Sequence, residues 1–120
     1  MIARAMVPKV LSQRTRSQHP AEAQRIEEIM ARQRPESIAA ASRGMALRPD
    51  RTGLLRRIKV PALIVTGSED NLMPLETSEA MNGAMAGSEL VVIPGAAHLS
   101  CSESPVEFNR HASRFLAVFH

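Results

Sequence analysis

Residues 58–70 read Ile58-Lys59-Val60-Pro61-Ala62-Leu63-Ile64-Val65-Thr66-Gly67-Ser68-Glu69-Asp70, and the fold class turns on this stretch. Ala62 to Thr66 is a continuous apolar and β-branched run between Pro61 and Gly67. So short a run, without polar alternation, predicts a strand buried on both faces, as in a parallel sheet between helices. Pro61 is tolerable at its start, where a ladder donor is dispensable. The strand leads into an acidic turn, Gly67-Ser68-Glu69-Asp70, and the carboxyl ends of parallel strands are where ligands and chemistry collect. Asp70 is therefore a candidate functional carboxylate. Taken alone, a strand followed by Gly-x-x-Asp more often ends in an aspartate that closes a turn.

Downstream, Asn71 to Pro74 reads as a turn and Pro74 to Ala86 as a helix, with Ala80, Met81, Ala84 and Met85 as its apolar face. Gly87 stands where a left-handed C-cap belongs. A second apolar run, Leu90 to Ile93, ends at Pro94-Gly95. Strand, helix and strand within about thirty residues predict a right-handed βαβ unit. Ala96 to Ser100 forms the loop at the carboxyl end of the second strand and carries His98. Ser104-Pro105-Val106-Glu107 matches a capping box. Phe108, Ala112, Phe115, Leu116 and Phe119 then recur at helical spacing, the clearest amphipathic pattern in the chain.

Upstream, Met1 to Leu11 reads as a short helix interrupted by Pro8, and Ser12 to His19 as a polar loop. Pro20 suits a first helical turn. From Ala21 to about Arg32, Ala23, Ile26, Ile29 and Met30 fall at helical spacing among charged residues. Pro35 opens another helix with a thin stripe of Ile38, Ala41 and Met45, and Pro49-Asp50 stops it. Helices with stripes this weak seldom fold alone, so they are expected to pack onto something else.

Composition narrows the function classes. With 120 residues the chain is one domain or a piece of one. Its start shows no signal-peptide pattern, and no apolar stretch approaches the roughly 18 residues of a membrane span. No membrane partner is expected. The single cysteine, Cys101, excludes an internal disulfide and suits a reducing compartment, so a cytoplasmic location is expected. Of the 15 Lys and Arg residues, 13 lie in 1–60 against five acidic ones, whereas 61–120 holds two against seven. A basic first half can signal a polyanion partner, but these arginines are spread along helices without a DNA-binding motif. Tryptophan and tyrosine are absent, which argues against base stacking on single strands. The charge asymmetry divides the chain near Arg57 into a helical region, 1–57, and an α/β region, 58–120.

If the two strands are parallel neighbours, Asp70 and His98 leave the sheet at the same edge. A carboxylate beside a histidine fixes its tautomer and stabilises its protonated form, the orienting half of a nucleophile-base-acid triad. Cys101 lies three residues from His98, but that spacing does not aim a thiol at the imidazole, and a small buried or partly exposed thiol is the expectation. His19, His98, His111 and His120 show no ligand-like spacing with cysteine or carboxylates, so no metal or other cofactor is expected.

The segment from Ile58 to Leu116 resembles the C-terminal part of an α/β-hydrolase. The resemblance rests on Val60-Pro61-Ala-Leu-Ile-Val-x-Gly67-x-x-Asp70-x-x-x-Pro74, on Val92-Ile93-Pro94-Gly95-Ala-x-His98, and on Glu103, Pro105 and Phe108 behind the histidine. It implies a partial α/β-hydrolase fold, a helical cap (1–57) followed by a parallel βαβα unit (58–120). It also implies Asp70 as triad acid and His98 as triad base. The helical region is similar to the cap of enzymes such as 3-oxoadipate enol-lactonase. Ala97 stands where many members have glycine.

The family's chain order is nucleophile, acid, histidine, with the nucleophile on a Gly-x-Ser-x-Gly elbow. These 120 residues contain no such elbow. The resemblance thus implies two thirds of a triad, acting on a small carboxylic ester or lactone in an intact enzyme and inactive alone. Members with an aspartate nucleophile act on epoxides or haloalkanes, and the elbow's absence leaves them open. The other expectation is a non-catalytic remnant or interaction module that pairs with a separate N-terminal half. Family topology puts an open sheet edge on Ala62 to Thr66, where self-association or that half would dock.

Overall fold

The computed structural model describes residues 2–119. Met1 and His120, the start of the first expected helix and one of the four histidines, lie outside the described residues.

The helical region is built around Leu11. Helix α1 (Ile2–Val10) and helix α3 (Pro20–Ala31) bring Val7, Val10, Leu11 and Ile26 into one buried cluster, with Met6, Ala23, Met30 and Leu99 packed against it. Pro8 does not interrupt α1 as expected: the helix runs through it, and Leu11 N–H donates to the Val7 carbonyl at 2.9 Å. Burying Val7, Val10 and Leu11 on both sides of the proline offsets the one bond it forgoes.

Ser12 to His19 is not a loop. It holds helix α2 (Gln13–Gln18), nucleated where the Ser12 hydroxyl accepts from Thr15 N–H at 3.1 Å. An N-cap serine three residues before a threonine outweighs the polar composition that suggested a loop. Helix α4 (Pro35–Ala46) follows and buries none of its residues, in keeping with its thin stripe. A 3₁₀ turn at Thr52–Arg57 leads to the sheet.

The sheet has two parallel strands, β1 (Ala62–Gly67) and β2 (Ser88–Ile93), in register from Ala62 opposite Ser88 to Gly67 opposite Ile93. Helix α5 (Leu75–Ala84) joins them, completing the expected βαβ unit. Val91, Ile93 and Ala96 form the second buried cluster, on which Leu63, Val65 and Phe108 pack. β1 is not buried on both faces along its length: Ala62 to Val65 are half-buried, and only Thr66 and Gly67 are fully enclosed. One strand neighbour covers less of a strand than the two its composition suits.

The connections depart from expectation at two helix ends. α5 stops at Ala84, and Gly87 is not a left-handed cap, since Gly95 is the one described residue with positive φ. Instead the Ser88 hydroxyl lies 2.7 Å from the Met85 carbonyl, which also accepts the Ser88 N–H, so a side chain closes the helix. The short helix α6 (Ser100–Glu103) precedes helix α7 (Pro105–Ala117). No capping box forms there, because the Ser104 side chain makes no cap bond and Glu107 binds Arg110 and His111 along its own helix. Only the first turns of α7 reach the core, through Phe108; Leu116 and Phe119 remain exposed.

Candidate active site

Both candidate residues follow strand ends on the same edge of the sheet. The turn after β1 and the loop after β2 are stitched directly to each other. Ser68 N–H donates to the Ile93 carbonyl (3.0 Å), Glu69 N–H to the Ala96 carbonyl (2.9 Å), and Gly95 N–H to the Ser68 hydroxyl (2.8 Å). The two loops approach so closely that a Cβ on Gly67 would lie 2.2 Å from the Ala96 carbonyl oxygen and 2.4 Å from that of Ala97. Glycine is required there for space, since no side chain fits against two backbone oxygens. Gly95, at φ +72°, makes the left-handed turn that sends the chain out of β2.

Asp70 closes its turn and also reaches His98. Its Oδ1 accepts Leu72 N–H at 2.9 Å and Met73 N–H at 3.0 Å. Its Oδ2 lies 3.0 Å from His98 Nδ1. One oxygen thus closes the turn and the other meets the histidine. The carboxylate is enclosed, with its side chain 6% exposed, whereas the imidazole is 37% exposed. Burial works to raise the Asp70 pKa, but the Met73 N–H, the His98 ring and the Leu72 N–H outweigh it and hold the carboxyl below its ordinary value. An ionised Asp70 makes Nδ1 the donor and leaves Nε2 unprotonated in the neutral ring. No group among the described residues hydrogen-bonds Nε2.

The histidine loop is held from its other side by the helical region. Ala97 N–H, just before His98, donates to Glu103 Oε2 at 2.7 Å. Leu99 N–H, just after it, donates to the Val10 carbonyl at 3.1 Å. In the sequence Glu103 stands out only as part of the pattern behind the histidine, and no periodicity marks it as buried. The Ser12-x-x-Thr15 cap was the signal that could have located its partners.

Cys101 is exposed and takes no part in the Asp70–His98 contact. No group of three or more histidine, cysteine or acidic side chains among the described residues is arranged to hold a metal. No described helix is long and apolar enough to cross a membrane.

A parallel βαβ unit with an aspartate after one strand and a histidine after the next fits the C-terminal part of an α/β-hydrolase. Comparison with known proteins agrees. The TAP-like protein family, a branch of the α/β-hydrolases, matches residues 38–118, about two thirds of the chain, and the chain belongs to this family. It is 36% identical over 74 residues to the pimeloyl-[acyl-carrier protein] methyl ester esterase of Neisseria meningitidis serogroup B, covering 62% of this chain and 26% of that protein. Among solved structures, a thermophilic esterase from Thermogutta terrifontis superposes with a TM-score of 0.95 at 36% identity, covering 99% of this chain and 44% of the esterase. The enol-lactonase of Burkholderia xenovorans shares the fold, with a TM-score of 0.90 at 23% identity and the same 44% of its length covered. The chain thus spans a quarter to under a half of the relatives it matches.

Proposed function

We propose that this chain contributes the acid and the base of a Ser-Asp-His triad that hydrolyses small carboxylic esters or lactones. The nucleophile and the oxyanion donors come from chain outside these 120 residues. The observation that carries this reading is the 3.0 Å contact between Asp70 Oδ2 and His98 Nδ1. In the completed site, Asp70 holds the imidazole in the Nδ1–H tautomer. His98 Nε2 takes the nucleophile's proton, returns it to the leaving group, and then activates water to release the acyl group. Asp70 stays ionised throughout and stabilises the imidazolium that forms, a role that suits a carboxyl held below its ordinary pKa. The relatives named as esterases favour an ester and a serine over an aspartate nucleophile. The lactone arm rests on likeness of fold.

Alone, the chain has no covalent or oxyanion chemistry and is inactive. Purified, it gives no p-nitrophenyl acetate turnover that His98→Ala abolishes; such turnover would refute the reading. Joined to the N-terminal portion of the Thermogutta esterase it becomes an esterase; His98→Ala then costs about 10⁶-fold and Asp70→Ala about 10⁴-fold in kcat. An active chimera indifferent to both substitutions would also refute it.

A second reading is favoured by one observation, that among the described residues β1 pairs with a strand on one side and not the other. Here the chain is a non-catalytic interaction module that docks an N-terminal half, or a second copy, along Ala62 to Thr66.

A further inference from the structure

The carboxylate of Glu103 is buried, with the residue 8% exposed, and no cation pairs with it among the described residues. A buried carboxyl group without a counter-ion needs hydrogen-bond partners in place of water. Three do so here. Oε1 accepts Ser12 N–H at 2.7 Å and the Thr15 hydroxyl at 2.8 Å, while Oε2 accepts Ala97 N–H at 2.7 Å. The first two donors belong to the cap of α2, more than eighty positions away in sequence. The third precedes the histidine by one residue. Leu99 N–H on the Val10 carbonyl anchors the other side of His98 to the same junction, and Leu99 packs on the Val7–Val10–Leu11 cluster. The Arg14 side chain lies against Gly95, within 2.6 Å of where a Cβ would stand.

We propose that Glu103 is a positioning residue for His98. Its two carboxylate oxygens clamp the histidine loop to the α1–α2 junction, so that the imidazole meets Asp70 with Nε2 free. The proposal rests on the acid–base reading above. Only a carboxylate fits this task. A glutamine of the same shape keeps one acceptor oxygen and turns an NH₂ toward a donor that needs an acceptor, so one arm of the clamp is lost. The helical region thereby acts as foundation for the catalytic loop as well as cover.

The full 120-residue chain, ¹⁵N-labelled, tests this through the ring nitrogens of the neutral His98 imidazole and through amide exchange. In the wild type the ring is held in the Nδ1–H tautomer, and the Ala97 and Leu99 amides exchange slowly. Glu103→Gln lowers the Nδ1–H fraction at least twofold and speeds Ala97 exchange about tenfold, while β1, β2 and α5 signals stay in place. If Glu103→Gln does not fold, Thr15→Val decides: it removes one donor to Oε1, and a partial tautomer shift supports the clamp. A folded variant with faster Ala97 exchange but the wild-type tautomer would show Glu103 to be structural only and overturn the proposal. Asp70→Asn separates this from the underlying reading. A tautomer indifferent to Asp70→Asn refutes the acid–base pair itself, whatever Glu103→Gln does.

Discussion

Asp70 shows how one side chain serves two ends. Its Oδ1 ties the turn through Leu72 and Met73, and its Oδ2 is left for His98. The same bonds give it a pH signature. A carboxyl whose folded pKa lies below the unfolded one stabilises the fold fully above the unfolded value, about 3.9. That stability is lost as pH falls from there through the folded value, because the unfolded chain takes up the proton first. Asp70→Asn abolishes this contribution. Urea unfolding between about pH 5 and about pH 3 should therefore give a shallower loss of stability in the variant than in the wild type. Parallel acid limbs would show that the native bonds to Asp70 do not favour its charge. At this scale the sequence revealed the pair but not its surroundings. Asp70 and His98 were legible because each follows an apolar run that ends in a glycine turn. Glu103 was not, since a carboxylate becomes a buried one only when Ser12, Thr15 and Ala97 converge on it, and pattern along the chain carries no such information.

Elements with strong periodicity or proline starts were legible to within a few residues: α3, α4, α7 and both strands. Those set by a local side-chain bond were not. The end of α5 is the sharpest case, because Gly87 suggested a left-handed cap and Ser88 supplies the cap instead. The two accounts predict opposite mutational outcomes. A left-handed glycine changed to alanine costs about 1–2 kcal/mol. Gly87, without positive φ and with Val60 O no nearer than 3.4 Å to a new Cβ, should accept alanine within about 0.5 kcal/mol. Ser88→Ala leaves the helix end without its hydroxyl donor and should cost about 1 kcal/mol. Denaturant midpoints of the two variants decide between the accounts, and the reverse order would restore the glycine cap. The Ser12 cap of α2 escapes pattern along the chain for the same reason, a single hydroxyl overriding what composition suggests.

For the whole molecule, the decisive feature is a sheet too small for its strands. β1 has the composition of a strand enclosed on both sides, yet β2 is its one described neighbour and Ala62 to Val65 are half-buried. The ladder says which groups are left over. Ala62 N–H donates to the Gly87 carbonyl and Ser68 N–H to the Ile93 carbonyl. In a parallel pair alternate residues face opposite edges, so Ile64 and Thr66 also face β2, while Leu63 and Val65 present their backbone groups to the open edge. Unpaired donors on an apolar edge recruit another strand. Amide exchange of the dilute chain should show Ile64 and Thr66 protected and Leu63 and Val65 open. Raising the concentration, or adding the N-terminal portion of the Thermogutta esterase, should protect Leu63 and Val65 and leave Ile64 and Thr66 as they were. Association that protects α4 or α7 amides while Leu63 and Val65 stay open would place the docking surface elsewhere. Protection of Leu63 and Val65 at the lowest concentration would mean that the edge is already covered within a single chain, and the paired-half reading would fall.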